Sequence, residues 1–139
     1  METLLYRLAG VWTLVGLVGG LGYRELTRSH DFDGRTQLAV VHTHALVLGT
    51  VMMLLLLVIE RVFRLSEQRG FRASVWIYTA GVAITVAMLS VNGTRTVMGH
   101  ESNPALAGIS GTGHIAIAVG LAMFFLSLGR AVQTRAATA

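Results

Sequence analysis

Thr36–Ile59 reads TQLAVVHTHALVLGTVMMLLLLVI, and this stretch decides the class of fold. Its 24 residues carry no charge when histidine is counted as neutral. A helix needs roughly 20 apolar residues to cross the hydrocarbon core of a bilayer. Backbone polar groups find no water there, so a helix with internal hydrogen bonds is the expected form. Outward from this stretch, Leu8–Tyr23, Ala73–Thr94 and Ser102–Gly129 are also free of charge. The first is short and reaches spanning length by adding Thr3–Tyr6, with Arg7 snorkelling. The expected fold is all-α: a polytopic membrane protein with four transmembrane helices, forming a single domain over residues 1–139. The spans are predicted at about 3–24, 36–60, 73–95 and 104–129.

Composition agrees with a bilayer as solvent. Hydrophobic residues make up 53% and charged residues 13%, against about 25% charged in a soluble domain. The chain has no cysteine, which excludes disulfides, thiolate metal sites, iron–sulfur clusters and covalently attached c-type haem. The net charge is +4 and all eleven basic residues are arginine. They sit between the apolar runs and form no basic patch, so nucleic-acid binding is not expected; the partner is the lipid bilayer. Arg7, Arg61, Arg64, Arg69, Arg72, Arg130 and Arg135 fall on one side of the spans, and Arg24, Arg28, Arg35 and Arg95 on the other. That bias places both termini on the cytoplasmic side of a bacterial cytoplasmic membrane. The first span is expected to stay as a helix and not to be removed as a signal peptide. Tyr6, Trp76 and Tyr78 read as interfacial belt residues, and Trp12 as helix packing. Three small-residue pairs, Gly16/Gly20, Ala83/Ala87 and Ala116/Gly120, have the spacing of helix contacts in membranes.

The five histidines, His30, His42, His44, His100 and His114, all fall toward the outer side in this orientation. Ionisable residues inside a membrane are costly and mark function. His42 and His44 are two apart. A helix turns about 100° per residue, so their rings point roughly 200° apart. One helix therefore cannot offer both rings to one metal ion. His42 shares a face with Gly49, Met53 and Leu56; His44 shares one with Val47, Val51 and Leu55. Both faces are apolar and suit a flat apolar cofactor, with Gly49 leaving room for a macrocycle against the backbone. Neutral imidazole is an axial ligand of haem iron. Arg95, beside Asn92 and Thr94, is the arginine best placed to meet haem propionates. The competing expectation pairs the outer arginines with Glu25, Asp31, Asp33 and Glu101.

Two resemblances follow from these residues. Gly22–Thr27, Gln37–Gly49 and Gly111–His114 resemble an uncharacterised family of small four-helix bacterial membrane proteins. Locally, His42-Thr43-His44-Ala45-Leu46-Val47-Leu48-Gly49 resembles the haem-ligating H-x-H helix of the haem–copper oxidase catalytic subunit, and also a low-spin-haem helix of nitric oxide reductases. That subunit has three arcs of four helices, and this chain would equal one arc. The resemblance implies a homotrimer like an unfused oxidase core, with haem b between protomers, held by His42 of one and His44 of the next. Such an iron is six-coordinate, which implies electron transfer, or sensing or handling of nitric oxide or oxygen, rather than oxidase turnover.

Two other readings remain open on the sequence. One is a non-haem copper or zinc protein or transporter using His42, His44 and His114 as metal ligands, with His100 and Glu101 near them. The other is a structural or assembly membrane protein with hydrogen-bonded histidines and no cofactor.

Overall fold

The computed structural model describes residues 1–101 and 104–138. Ser102 and Asn103, which open the fourth charge-free stretch, lie outside the described residues. The described residues form four long helices and no strand: α1 (Glu2–Ser29), α2 (Gln37–Phe63), α3 (Phe71–Val97) and α4 (Pro104–Thr138). Each is long and apolar enough to cross a membrane. All four overrun the spans expected from charge, and α4 continues nine residues past Gly129. Helical hydrogen bonding does not stop where the apolar run stops. At that end Ala131 is buried, Arg130 donates to the Arg69 carbonyl at 3.3 Å, and the Arg135 guanidinium lies 5.3 Å from the Phe63 ring centre.

The helices pack as two pairs, α1 against α2 and α3 against α4. The N-terminal end of α2 joins the pairs by lying across α3, while α1 and α4 do not touch. The result is an open arc and not a closed bundle. Lipid tails give apolar side chains no reason to leave them, so close backbone approach must supply the contacts. Glycine does so here. A side-chain carbon at Gly81 would sit 2.6 Å from Ile117 N, and one at Gly113 would sit 2.6 Å from Thr85 Oγ1. At Gly120 it would meet the Tyr78 backbone at 2.7 Å. Gly16 and Gly20 seat α2, at Leu46 and His42 respectively. Of the expected small-residue contacts, Ala83 and Ala87 are exposed within the chain. The face of α3 that meets α4 carries Gly81 and Thr85 instead.

The second helix is not uniform. It opens with a 3₁₀ turn (Gln37–Val40), passes through one α-turn (Val41–His44), widens to i→i+5 hydrogen bonding (Ala45–Val51) and ends as α-helix (Met52–Phe63). The buried positions explain the widening. Val41, Ala45, Gly49 and Met53 all face inward, at a uniform spacing of four. In an α-helix each such step overshoots a full turn by about 40°. A wider turn takes back that drift and keeps all four on one face.

The connection from α2 to α3 is tight and strained at one point. Arg64 closes α2 with φ 51°, a left-handed conformation. Buried Glu60 accepts a hydrogen bond from Ser66 N–H at 2.8 Å, which fixes the turn. Gly70, with φ 89°, then starts α3 without a side-chain penalty. Left-handed backbone costs a non-glycine residue roughly 1–2 kcal/mol. Arg64→Gly is therefore expected to stabilise the protein by about 0.5–1 kcal/mol after the added entropy of glycine in the unfolded chain. Thermal unfolding in detergent would show this as a higher midpoint.

Candidate functional site

The histidine-bearing turn is held at its outer end by a threonine. Thr36 Oγ1 accepts from Leu38 N–H at 3.3 Å and donates to the Gly93 carbonyl at 2.8 Å. Leu38 then fits against Gly93, where α3 has no side chain to displace it. Val41–His44 is regular α-helix. The two-residue step from His42 to His44 therefore turns the rings by the roughly 200° expected.

The two rings have different surroundings. His42 lies against α1: a side-chain carbon at Gly20 would be 3.6 Å from His42 Cβ and 3.8 Å from Cγ. Its Nδ1 is buried and has no hydrogen-bond partner, while Nε2 lies 3.3 Å from Thr43 Oγ1 in an exposed contact. His44 pairs Nδ1 with the Val40 carbonyl at 2.8 Å. A carbonyl only accepts, so Nδ1 carries the proton and Nε2 keeps its lone pair. The wide segment lines up residues four apart, so half-buried His44 is followed by half-buried Leu48 and Met52, and exposed Val47 and Val51 form the apolar strip beside it. A basic nitrogen thus sits on a half-buried ring next to an exposed apolar strip. A backbone bond fixing the second ring nitrogen is also how metal-ligating histidines are held.

His114 has the same arrangement, with Nδ1 3.1 Å from the Ser110 carbonyl, as does His30 with Leu26 at 3.0 Å. The three intramembrane candidates, His42, His44 and His114, lie at one level along α3. Leu38 meets Gly93 and Leu48 meets Tyr78, so His42 and His44 lie beside the middle of α3. Gly113, next to His114, meets α3 at Thr85, the same level. Yet His114 is not brought to the other two, because the His42–His44 turn and α4 do not touch. Among the described residues no three His, Cys, Asp or Glu side chains gather into a metal-ligating group. Within one chain His42, His44 and His114 therefore do not form one ligand group. His100 is exposed at the end of α3.

Three further expectations change. Gly49 does face a ring, but that ring is the Trp12 indole of α1, which fills the space left for a macrocycle. Met53 and Leu56 on the same face are also buried within the chain. Arg95 donates to the Glu101 backbone carbonyl at 3.2 Å, so it closes the α3–α4 connection. Arg24 pairs with its neighbour Glu25 at 2.9 Å on the surface. Tyr78 is not a belt residue: it is 3% exposed and donates its hydroxyl to the Leu48 carbonyl at 2.9 Å. Tyr6 and Trp76 are exposed, as belt residues would be, and Trp12 is buried in helix packing.

A second polar contact ties α1 to α2 beside Gly49. Thr13 and Thr50 hydroxyls lie 3.1 Å apart, and Thr13 donates to the Ala9 carbonyl at 2.9 Å. The inner faces of α1 and α2 are therefore closed by side chains of this chain.

The family model described as "Protein of unknown function (DUF2871)" matches residues 1–131, and the chain belongs to that family. No curated protein and no solved structure matches it.

Proposed function

We propose that this DUF2871 membrane protein is a b-type haem protein whose haem is held between copies of the chain. The observation that carries this reading is His44: its Nδ1 is bonded to Val40, which leaves the lone pair on Nε2 of a half-buried ring beside exposed Val47 and Val51. In lipid an imidazole nitrogen without a partner is costly. Axial ligation of iron in a flat, apolar macrocycle would satisfy the nitrogen and cover the face together. The donor set fits: an imidazole nitrogen, no cysteine in the chain, and an apolar strip of Val47 and Val51 beside it. His42 would supply the second ligand from a neighbouring copy, with Thr43 turning its hydroxyl away from Nε2. Because the rings diverge, one chain cannot close the site. The open arc leaves both outer edges of the chain available to further copies.

The resemblance of residues 42–49 to an oxidase haem helix favours a trimer. Arginine bias favours cytoplasmic termini and a histidine level toward the outer side. A haem so held supplies one-electron chemistry, in electron transfer or in sensing or handling nitric oxide or oxygen. The chain's part is to fix ring orientation and keep water from the iron.

Co-expression tests the shared site. His42→Ala and His44→Ala chains each lose bis-histidine haem when alone. In a mixed trimer a site is whole where an intact His42 faces an intact His44, which random assembly gives at about a quarter of the sites. Recovery of that fraction of the low-spin haem spectrum is the expected result. No recovery, with mixed oligomers shown to form by two affinity tags, would overturn the shared site.

A further inference from the structure

We propose that Tyr78 is a positioning residue that sets the rotation of the histidine-bearing turn of α2. Its meaning for ligation rests on the reading above; its geometry does not.

The wide segment Ala45–Val51 has to return to α-helical pairing at its inner end. There Met52 N–H bonds to the Val47 and Gly49 carbonyls, on either side of Leu48. The Leu48 carbonyl is bypassed by that amide. A wide turn inside an α-helix leaves such a carbonyl without its usual donor, and at membrane depth no water can take the donor's place. The Tyr78 hydroxyl donates to it at 2.9 Å. Tyr78 is itself fixed, because Gly120 of α4 lets the two backbones meet at that residue. The contact therefore runs from the α3–α4 pair to the inner end of the wide segment.

The wide segment decides which way everything outside it points. With it, Val41 and Ala45 stay in line with Met53, and His42 lies over Gly20. Without it, α2 would pair uniformly as α-helix. Its outer part would then turn against its inner part by the angle of one residue, about 100°. That rotation would lift His42 off Gly20 and turn His44 out of its present line with Leu48 and Met52. The hydroxyl of Tyr78 holds the wide form by giving the Leu48 carbonyl a donor where the Met52 amide bypasses it.

The absence of cysteine allows a clean test in the full-length chain in membranes. In Gly20→Cys/His42→Cys the two Cβ atoms would stand about 3.6 Å apart, which suits a disulfide. Mild oxidation is expected to cross-link this pair in the Tyr78 background. Adding Tyr78→Phe is expected to lower the yield at least about fivefold, since a 100° turn carries the Cβ atoms beyond bonding range. An unchanged yield would overturn the proposal. Deleting Val47, an exposed residue of the wide segment, removes the extra residue and lets α-helical pairing resume. In that background the pair should cross-link equally with Tyr or Phe at position 78. Continued dependence on Tyr78 would also overturn the proposal. If Tyr78→Phe instead reduces accumulation of the protein, the Val47 deletion is expected to restore it, and failure to restore it counts against the proposal. The readout uses no haem, so a colourless wild-type protein would sink the haem reading and leave this one standing.

Discussion

Replacing His44 by alanine is expected to strip the protein of haem, cutting the content per chain at least about tenfold. His44 is the ligand whose chemistry is fixed in advance. The Val40 carbonyl holds its proton on Nδ1, which leaves the lone pair on Nε2, and exposed apolar Val47 and Val51 lie beside its line of α2. Alanine removes the only basic nitrogen on that surface. His42→Ala is expected to be milder, leaving some five-coordinate, high-spin haem on His44. His42 has no backbone acceptor for Nδ1, and its Nε2 is engaged with Thr43, so less of its orientation is fixed before a ligand arrives. The measurement is the absorption spectrum and the pyridine haemochrome of each purified variant. Equal, full haem content in His44→Ala would remove His44 from the site. His114→Ala should leave the spectrum unchanged, because His114 lies on α4, away from the turn that carries the other two.

Gly120→Ala is expected to break the α3–α4 pair. The added carbon would lie 2.7 Å from both the nitrogen and Cβ of Tyr78 and 2.8 Å from its Cα. These atoms belong to the main chain or are fixed to it, so no side-chain rotation relieves the overlap. Overpacking of this kind costs roughly 1–3 kcal/mol, and more when backbone is the obstacle. In a membrane helix pair held mainly by close approach, separation of α3 from α4 is the cheapest relief. The expected readouts are a sharp fall in accumulation in the membrane and a lower denaturant midpoint in micelles. Gly10→Ala is the control: nothing lies within 4 Å of a carbon there, and alanine favours a helix over glycine by about 0.5–1 kcal/mol. Similar damage at both positions would show that loss of glycine as such, and not contact at Tyr78, is responsible.

The four spans were legible because charge-free length is a direct physical requirement of the bilayer. Their ends were not, because a helix continues in water past the lipid wherever its residues pack, as Ala131 does here. The divergence of His42 and His44 was legible from spacing alone, since Val41–His44 is regular helix. The fate of Gly49 was not. A glycine near a histidine suits a macrocycle and an indole equally well, and only the fold shows that Trp12 of α1 takes the space. Tyr78 was misread because a tyrosine six residues into an apolar run looks interfacial. Its hydroxyl finds instead a carbonyl released by a change of helical pitch. A trace of that pitch was present in the sequence: Val41, Ala45, Gly49 and Met53 step by four throughout, where a regular helix alternates three and four.

The reduced-minus-oxidised absorption spectrum of the wild-type protein, purified from cells supplied with haem, probes the central claim most directly. The expected result is a low-spin b-type spectrum with a strong Soret band, about one haem per chain in a ring of identical copies, and release of all haem into acidified organic solvent. A correctly folded oligomer with no Soret band would contradict it.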